Sequence, residues 1–236
     1  MMHRPVQQPL FSNRFDAGRQ LAEKLAGYKG TPVIVLAIPN GGIPVALQVA
    51  LALEAELDII ISRKLPIPLR PEGGFGAVAD DGTVILNQEV LRGLNLTQQQ
   101  INYQVSKVRT DIQQRSLLYR ATRPLSVLTG RTAIIVDDGL ASGYTMMAAV
   151  ESVRRKKPRQ IVAAVPAASA QAIKCVEKVA DRVVTVATGF APRFYVSDYY
   201  QYWNVLSDEE GLRCLKEWQM RKQGTGQART HHSNGS

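Results

Sequence analysis

Histidine is nearly absent from this chain. Of its 236 residues only three are histidine, namely His3, His231 and His232, and there is none between Arg4 and Thr230. Chain ends are usually poorly ordered. A Ser-His-Asp or Cys-His nucleophile system would therefore lack its general base. Cysteine is as scarce: Cys175 and Cys214 are far apart and form no C-x-x-C. That excludes a zinc cluster and a disulfide framework, and it suits a reducing compartment. Long apolar runs are also missing. The longest, near 45–53 and 161–168, fall well short of the ~20 residues that a membrane span needs. The first residues hold no apolar stretch of the secretory-signal kind. These absences lead to an expected cytoplasmic location and no membrane partner. With 18 glycines and 12 prolines the chain is neither collagen-like nor of low complexity.

Charge is present but local. The net charge is +9. Five basic residues, Arg154, Arg155, Lys156, Lys157 and Arg159, form an acid-free run, and Arg221, Lys222 and Arg229 form a second acid-free stretch. Without them the body is nearly neutral, so a nucleic-acid partner is not expected. The first run sits where a helix should end, and cations are favoured there anyway.

Apolar patterning alternates between strand and helix. Continuous β-branched runs at 33–38, 58–62, 83–86, 132–136, 161–165 and 182–187 read as strands, mostly buried on both faces. Helices are expected at 15–25, 43–55, 97–120, 145–157 and 169–179, the third opened by a Thr97/Gln100 capping box. Leu65–Asp81, rich in Pro and Gly, reads as a long functional loop. This alternation argues for an α/β fold with a mostly parallel sheet covered on both faces. Residues 1–13 read as an arm.

The segment Ala133–Thr145 (AIIVDDGLASGYT) carries the chemistry. A strand runs into two adjacent carboxylates, then into a loop of small residues, then into a helix. Gly139, Ala141, Ser142 and Gly143 leave backbone N–H groups open to an anion, and the helix start adds its partial positive charge. Asp137 and Asp138 would repel a phosphate, but they suit hydroxyl groups or a divalent cation. A phosphate beside a diol describes a ribose 5-phosphate. The segment is not a P-loop, because Tyr144 stands where that motif needs Lys. Gly74–Ala79 fits G-x-G-x-x-A, but it follows no strand in this reading.

This segment resembles the PRPP-binding signature of type I phosphoribosyltransferases. Ile38-Pro39-Asn40-Gly41-Gly42 resembles the family's pyrophosphate loop. Arg63-Lys64, with the Pro/Gly stretch through Gly73–Ala79, resembles its mobile catalytic loop. The likeness covers about residues 30–190 and is nearest to uncharacterised bacterial members with a Gly-Ala-Val-Ala segment. It implies a three-layer α/β/α fold with sheet order 3-2-1-4-5-6, strand 3 antiparallel, and a small hood. Residues 1–218 would then be one domain, with a core at about 30–190, a hood from 1–30 and 188–218, and a disordered basic tail at 219–236.

The resemblance also implies roles. Asp137 and Asp138 would hold the ribose hydroxyls, directly or through Mg²⁺. Gly139 and Ala141–Thr145 (with Ser142, Gly143 and Tyr144) would cradle the 5-phosphate. The backbone of Asn40, Gly41 and Gly42 would bind pyrophosphate, where a strained or cis peptide is common. Arg63 and Lys64 would neutralise the leaving group. The implied activity is Mg²⁺-dependent transfer of 5-phosphoribosyl from PRPP to a small nitrogenous acceptor. The alternative is a PRPP- or nucleotide-binding regulatory protein on the same fold, and a third is hydrolysis without an acceptor. Family members are commonly dimers, so a homodimer is one expectation. Asn40 stands where many members carry a basic residue. Ala141 stands where 6-oxopurine enzymes carry an acid, which argues against hypoxanthine–guanine chemistry. Glu72 is a candidate acid/base. The aromatic group Phe190, Phe194, Tyr195, Tyr199, Tyr200, Tyr202 and Trp203 reads mostly as hood core.

Overall fold

A computed structural model describes residues 9–120, 126–191 and 193–230. Most of the expected arm (1–8) and the end of the expected tail (231–236) lie outside the described residues. In chain order the elements are α1 (Arg14–Lys24), β1 (Val33–Ala37), α2 (Gly42–Leu53), β2 (Glu56–Ile59), β3 (Ser62–Ile67), β4 (Arg70–Ala79), β5 (Val84–Leu86), α3 (Gln88–Leu94), α4 (Gln98–Arg120), β6 (Thr132–Val136), α5 (Tyr144–Arg154), β7 (Gln160–Ser169), α6 (Ala170–Val176), β8 (Arg182–Gly189) and α7 (Asp208–Thr230).

Five strands form a parallel sheet in the order β2-β1-β6-β7-β8. Side chains alternate across it. Val33, Val35 and Ala37 join a core closed by α1, α2 and α7. Ile34 and Leu36 join a second core closed by α5 and α6. Burial on both faces explains why these strands are unbroken apolar runs rather than alternating ones. Strand order reverses between β1 and β6, which lie side by side, so the loops that follow them open at the same point.

One expected strand falls elsewhere. Residues 84–86 do not join the main sheet as its third strand. They pair with β4 in a separate antiparallel sheet of order β3-β4-β5. The stretch expected as a loop, 65–81, is mostly this hairpin. Glycine makes it a strand rather than breaking it. A Cβ on Gly76 would lie 2.3 Å from the Ile85 carbonyl oxygen, so the β4–β5 approach needs glycine there. Pro66 sits at a shift of register, where a missing N–H is tolerated.

Residues from 219 were expected to be disordered, but α7 carries them in a helix to Thr230. Its buried Leu215 and Trp218 anchor it on the α2 side of the sheet, and a Glu217–Arg221 pair spaced i,i+4 supports the exposed face. The α4 stripe is buried at Val108, Ile112 and Tyr119, and its Thr97/Gln100 capping box is formed. No helix among the described residues is long and apolar enough to cross a membrane.

Candidate functional site

A cleft of about 340 Å³ opens at the β1/β6 reversal. It is lined by Ile38, Pro39, Ser62, Arg63, Lys64, Pro66, Pro71, Asp137 and Thr145. Three sequence-remote segments thus meet: the end of β1, the β3–β4 hairpin and the loop after β6. Ser62 Oγ donates to the Thr145 carbonyl at 2.8 Å, tying the hairpin to the start of α5.

The two α-helices that start at this reversal differ from the other α-helices described. Side chains cap α1 (Asn13), α3 (Asn87), α4 (Thr97), α6 (Ser169) and α7 (Ser207). Gly41 and Gly143 stand at the starts of α2 and α5, and neither start has a side-chain cap. The first-turn N–H groups of α5 therefore remain as donors. The loop before them is held firmly. Leu140 N–H donates to the Ala167 carbonyl, Ser169 N–H donates to the Leu140 carbonyl, and Ser169 Oγ donates to the Ala141 carbonyl.

At the end of β1 the Pro39–Asn40 peptide is cis. The Gly42 N–H is already used by the Ile38 carbonyl at 3.0 Å. Of the three residues expected to supply amides, Asn40 and Gly41 are thus the better placed. Both glycines are required by close approach to the acid pair. A Cβ on Gly41 would lie 2.0 Å from Asp138 Oδ2, and one on Gly42 would lie 2.6 Å from the Val136 carbonyl oxygen.

The Asn40 side chain does not line the cleft. Its Nδ2 donates to the Leu206 carbonyl and to Asp208 Oδ1, each at 2.9 Å. Its Oδ1 accepts from Arg115 Nη1 at 2.8 Å.

Asp138 is held by groups that sequence reasoning missed. Arg14 Nε donates to its Oδ2 at 2.9 Å, and Tyr200 Oη donates to its carbonyl at 2.6 Å. Arg14 is only 7% exposed, and its guanidinium lies over the Trp203 ring at 3.8 Å. Phe15, expected on the buried face of α1, is the exposed neighbour instead. Nothing in the helical period marks Arg14, because its partner lies 124 residues away. Burial pushes the Asp137 carboxyl well above the usual range, and the adjacent Asp138 carboxylate adds to this. Burial raises Asp138 too, against the opposing pull of Arg14.

The remaining expected residues divide. Arg63 and Lys64 reach the cleft, but both are engaged by the protein. Arg63 Nε meets Asp111 Oδ2 at 3.1 Å, and Lys64 Nζ donates to the Pro71 and Glu72 carbonyls. Burial lowers the Lys64 pKa. Tyr144 packs against the cluster of Ala77, Ala79 and Ala148 and is not among the lining residues. A Cβ on Gly139 would lie 2.5 Å from Val196, so its smallness serves packing. Ser142 is exposed, and so is Glu72 at the hairpin tip. Of the aromatic group, Tyr200 is buried against Phe11 and Trp203, whereas Phe190, Tyr195 and Tyr202 are exposed.

Known proteins resemble this chain in sequence and in fold. A family profile described as phosphoribosyl transferase domain matches residues 79–198. In two strains of Mycobacterium tuberculosis, CDC 1551 / Oshkosh and H37Rv, a protein provisionally named as a phosphoribosyl transferase is 41% identical over 206 residues. That alignment covers 87% of this chain and 46% of the mycobacterial one, so the chain spans about half the length of the curated relatives it matches. The crystal structure of TT1426 from Thermus thermophilus matches with a TM-score of 0.71 at 35% identity, covering 88% of this chain and 98% of that one.

Proposed function

The chain belongs to the phosphoribosyl transferase family, and from that premise we propose that it transfers 5-phosphoribosyl from PRPP to a nitrogenous acceptor, releasing pyrophosphate. One observation carries the reading: among the described residues, the only two α-helices whose starts lack a side-chain cap begin beside Asp137 at one cleft. PRPP presents anions at both ends and a diol between them, in the same order.

In this reading the amides of Ala141–Thr145 and the Thr145 hydroxyl take the 5-phosphate. Asp137 and Asp138 accept the ribose hydroxyls. The Asn40 and Gly41 amides take the pyrophosphate. As the C1–O bond breaks, its electron pair leaves with the pyrophosphate and positive charge develops at C1. Arg63 and Lys64 stabilise the departing charge once they exchange Asp111 and the hairpin carbonyls for it. Catalysis is then positioning plus charge stabilisation, and it needs no histidine.

The donor set also fits Mg²⁺. No group of three or more His, Cys, Asp or Glu side chains is placed to hold a metal among the described residues. A Mg²⁺ held by one or two carboxylates plus substrate oxygens and waters needs no such cage. Asp137 and Asp138 are the residues that would hold it, and when bound it would offset the charge of the pyrophosphate. The acceptor would enter under a hood made by residues 9–30 and 188–218, whose exposed Phe190, Tyr195 and Tyr202 could stack on a planar ring. The two free cysteines support a cytoplasmic setting.

A non-catalytic PRPP-binding regulator is favoured by one observation. Asp137 is the one carboxylate among the residues lining the cleft, which leaves no separate general base. PRPP-dependent pyrophosphate release across a panel of bases separates the two readings. The Asp137→Asn, Asp138→Asn double variant should abolish that release, and undiminished release would overturn the assigned roles. Tight PRPP binding without turnover on any base would favour the regulator.

A further inference from the structure

The 38–42 loop, Ile-Pro-Asn-Gly-Gly, has no charged side chain, yet the proposed function asks it to bind a pyrophosphate. Behind it, on the side away from the cleft, the fold builds a polar cluster from two distant helices. Arg115 of α4 reaches Asn40 Oδ1 at 2.8 Å and Asp208 Oδ1 of α7 at 2.5 Å. Tyr119, one turn further along α4, places its hydroxyl 3.2 Å from Asp208 Oδ1 and 3.4 Å from Asn40 Oδ1. The Asn40 amide is thereby used at both ends, because its Nδ2 is held by Asp208 and the Leu206 carbonyl. A side chain fixed in this way fixes the backbone that carries it.

The helices are close enough to demand this arrangement. A Cβ on Gly211 of α7 would lie 2.7 Å from the Tyr119 hydroxyl and 2.9 Å from Ile43 Cδ1. Arg115 is four-fifths buried, where a charge acts through less water than at the surface. Its Nε lies 3.5 Å from Asp111 Oδ2, the carboxylate that also holds the cleft residue Arg63. One helix, α4, therefore holds both the loop and the cation that faces it.

We propose that Arg115 is a positioning residue for the anion loop. It locks Asn40 so that the Asn40 and Gly41 amides face the cleft. This assignment rests on the pyrophosphate reading of that loop.

Calorimetry on the full chain with two probes tests it. Magnesium pyrophosphate reports on the 38–42 loop, and ribose 5-phosphate reports on the Asp137–Thr145 side. In Arg115→Met, pyrophosphate binding should weaken about tenfold, the scale of the charge-assisted hydrogen bond to Asn40 that holds the loop in place. Ribose 5-phosphate binding should weaken clearly less, because its phosphate would rest on the Ala141–Thr145 amides, whereas Arg115 bonds to Asn40 and Asp208. Arg115→Lys keeps the charge but not the fork, so pyrophosphate should weaken only about threefold. Asp208→Asn keeps an acceptor oxygen while removing the opposing negative charge, so pyrophosphate should bind at least as tightly as in wild type. Unchanged pyrophosphate binding in Arg115→Met overturns the proposal. So does equal loss of both probes, which marks a merely structural role, and so does weaker pyrophosphate binding in Asp208→Asn. A wild-type chain that binds neither probe overturns the transferase reading itself, and this assignment with it.

Discussion

Substituting Gly41 by alanine adds one methyl group, and the structure says where it would go. The Gly41 backbone is at φ −59°, ψ −36°, which alanine adopts without strain. Reduced freedom of the unfolded chain then favours alanine by about 0.4–1 kcal/mol. The new Cβ, however, would lie 2.0 Å from Asp138 Oδ2 and 2.6 Å from its Cγ, where ordinary contacts begin at 3.4 Å. The carboxylate must therefore move by more than an ångström. Moving it breaks the 2.9 Å bond from Arg14, a charge-assisted hydrogen bond worth about 1.5–3 kcal/mol. The fold should lose only about 1–2 kcal/mol once the alanine gain is set against that loss.

The larger effect falls on the ligand. On the proposed reading a displaced Asp138 forfeits one charged hydrogen bond to the ribose, which should weaken PRPP by about 10–100-fold. Gly42→Ala is the control with the opposite balance. Its Cβ would meet backbone, 2.6 Å from the Val136 carbonyl oxygen and 2.9 Å from Asp137 Cα. Strands do not yield as a carboxylate does, so about 1–3 kcal/mol of stability should go. Urea melts and PRPP calorimetry on both variants give the two axes. PRPP affinity within twofold of wild type in a folded Gly41→Ala would show that Asp138 can be moved freely, and the ribose role assigned to it would fall.

Two further outcomes follow from buried titrating groups. Burial raises the Cys214 thiol to about 11, whereas Cys175 is half-buried, so at pH 8 a thiol reagent should label Cys175 rapidly and Cys214 only on unfolding; equal labelling of native protein would refute the burial of α7. Burial works to raise Glu56, but its bonds from Arg131 and Ser126 outweigh this and leave its pKa lowered. Its contribution is therefore present above the unfolded value of 4.5 and lost as pH falls through the lower folded value. The urea midpoint of Glu56→Gln should fall less steeply than that of wild type below about pH 4.5, and parallel pH profiles would refute the linkage.

What the sequence made legible was local. The strand at 132–136 and the small-residue loop after it are marked by neighbours in the chain, as are the Gly-Gly after β1 and the Thr97 capping box. What it hid was delivered from far away. Arg14 and Arg115 are polar residues on helices, and a buried arginine looks like a solvated one until its partner is known. The hairpin at 62–79 was hidden for a different reason. Its glycines read as chain breakers, although Gly76 is there because the β5 backbone passes too close for any side chain.

The helix starts, by contrast, are readable in the letters once the elements are known. Five helices are preceded by Asn, Ser or Thr, and two by Gly. At α2 the Ile38 and Asn40 carbonyls already take the Gly42 and Ile43 amides, whereas a side-chain cap would have satisfied first-turn amides of α5 and made that helix about 1 kcal/mol more stable. It would also have occupied the donors that an anion needs. Capping and anion binding compete for the same N–H groups, so a helix start that serves a ligand must forgo the cap. Free protein then bears that cost at the α5 end of the cleft, and an anion seated there relieves it. Binding of PRPP should therefore stabilise this fold by more than either ribose 5-phosphate or pyrophosphate at equal free concentration, because one molecule would reach both the α5 amides and the Asn40 and Gly41 amides.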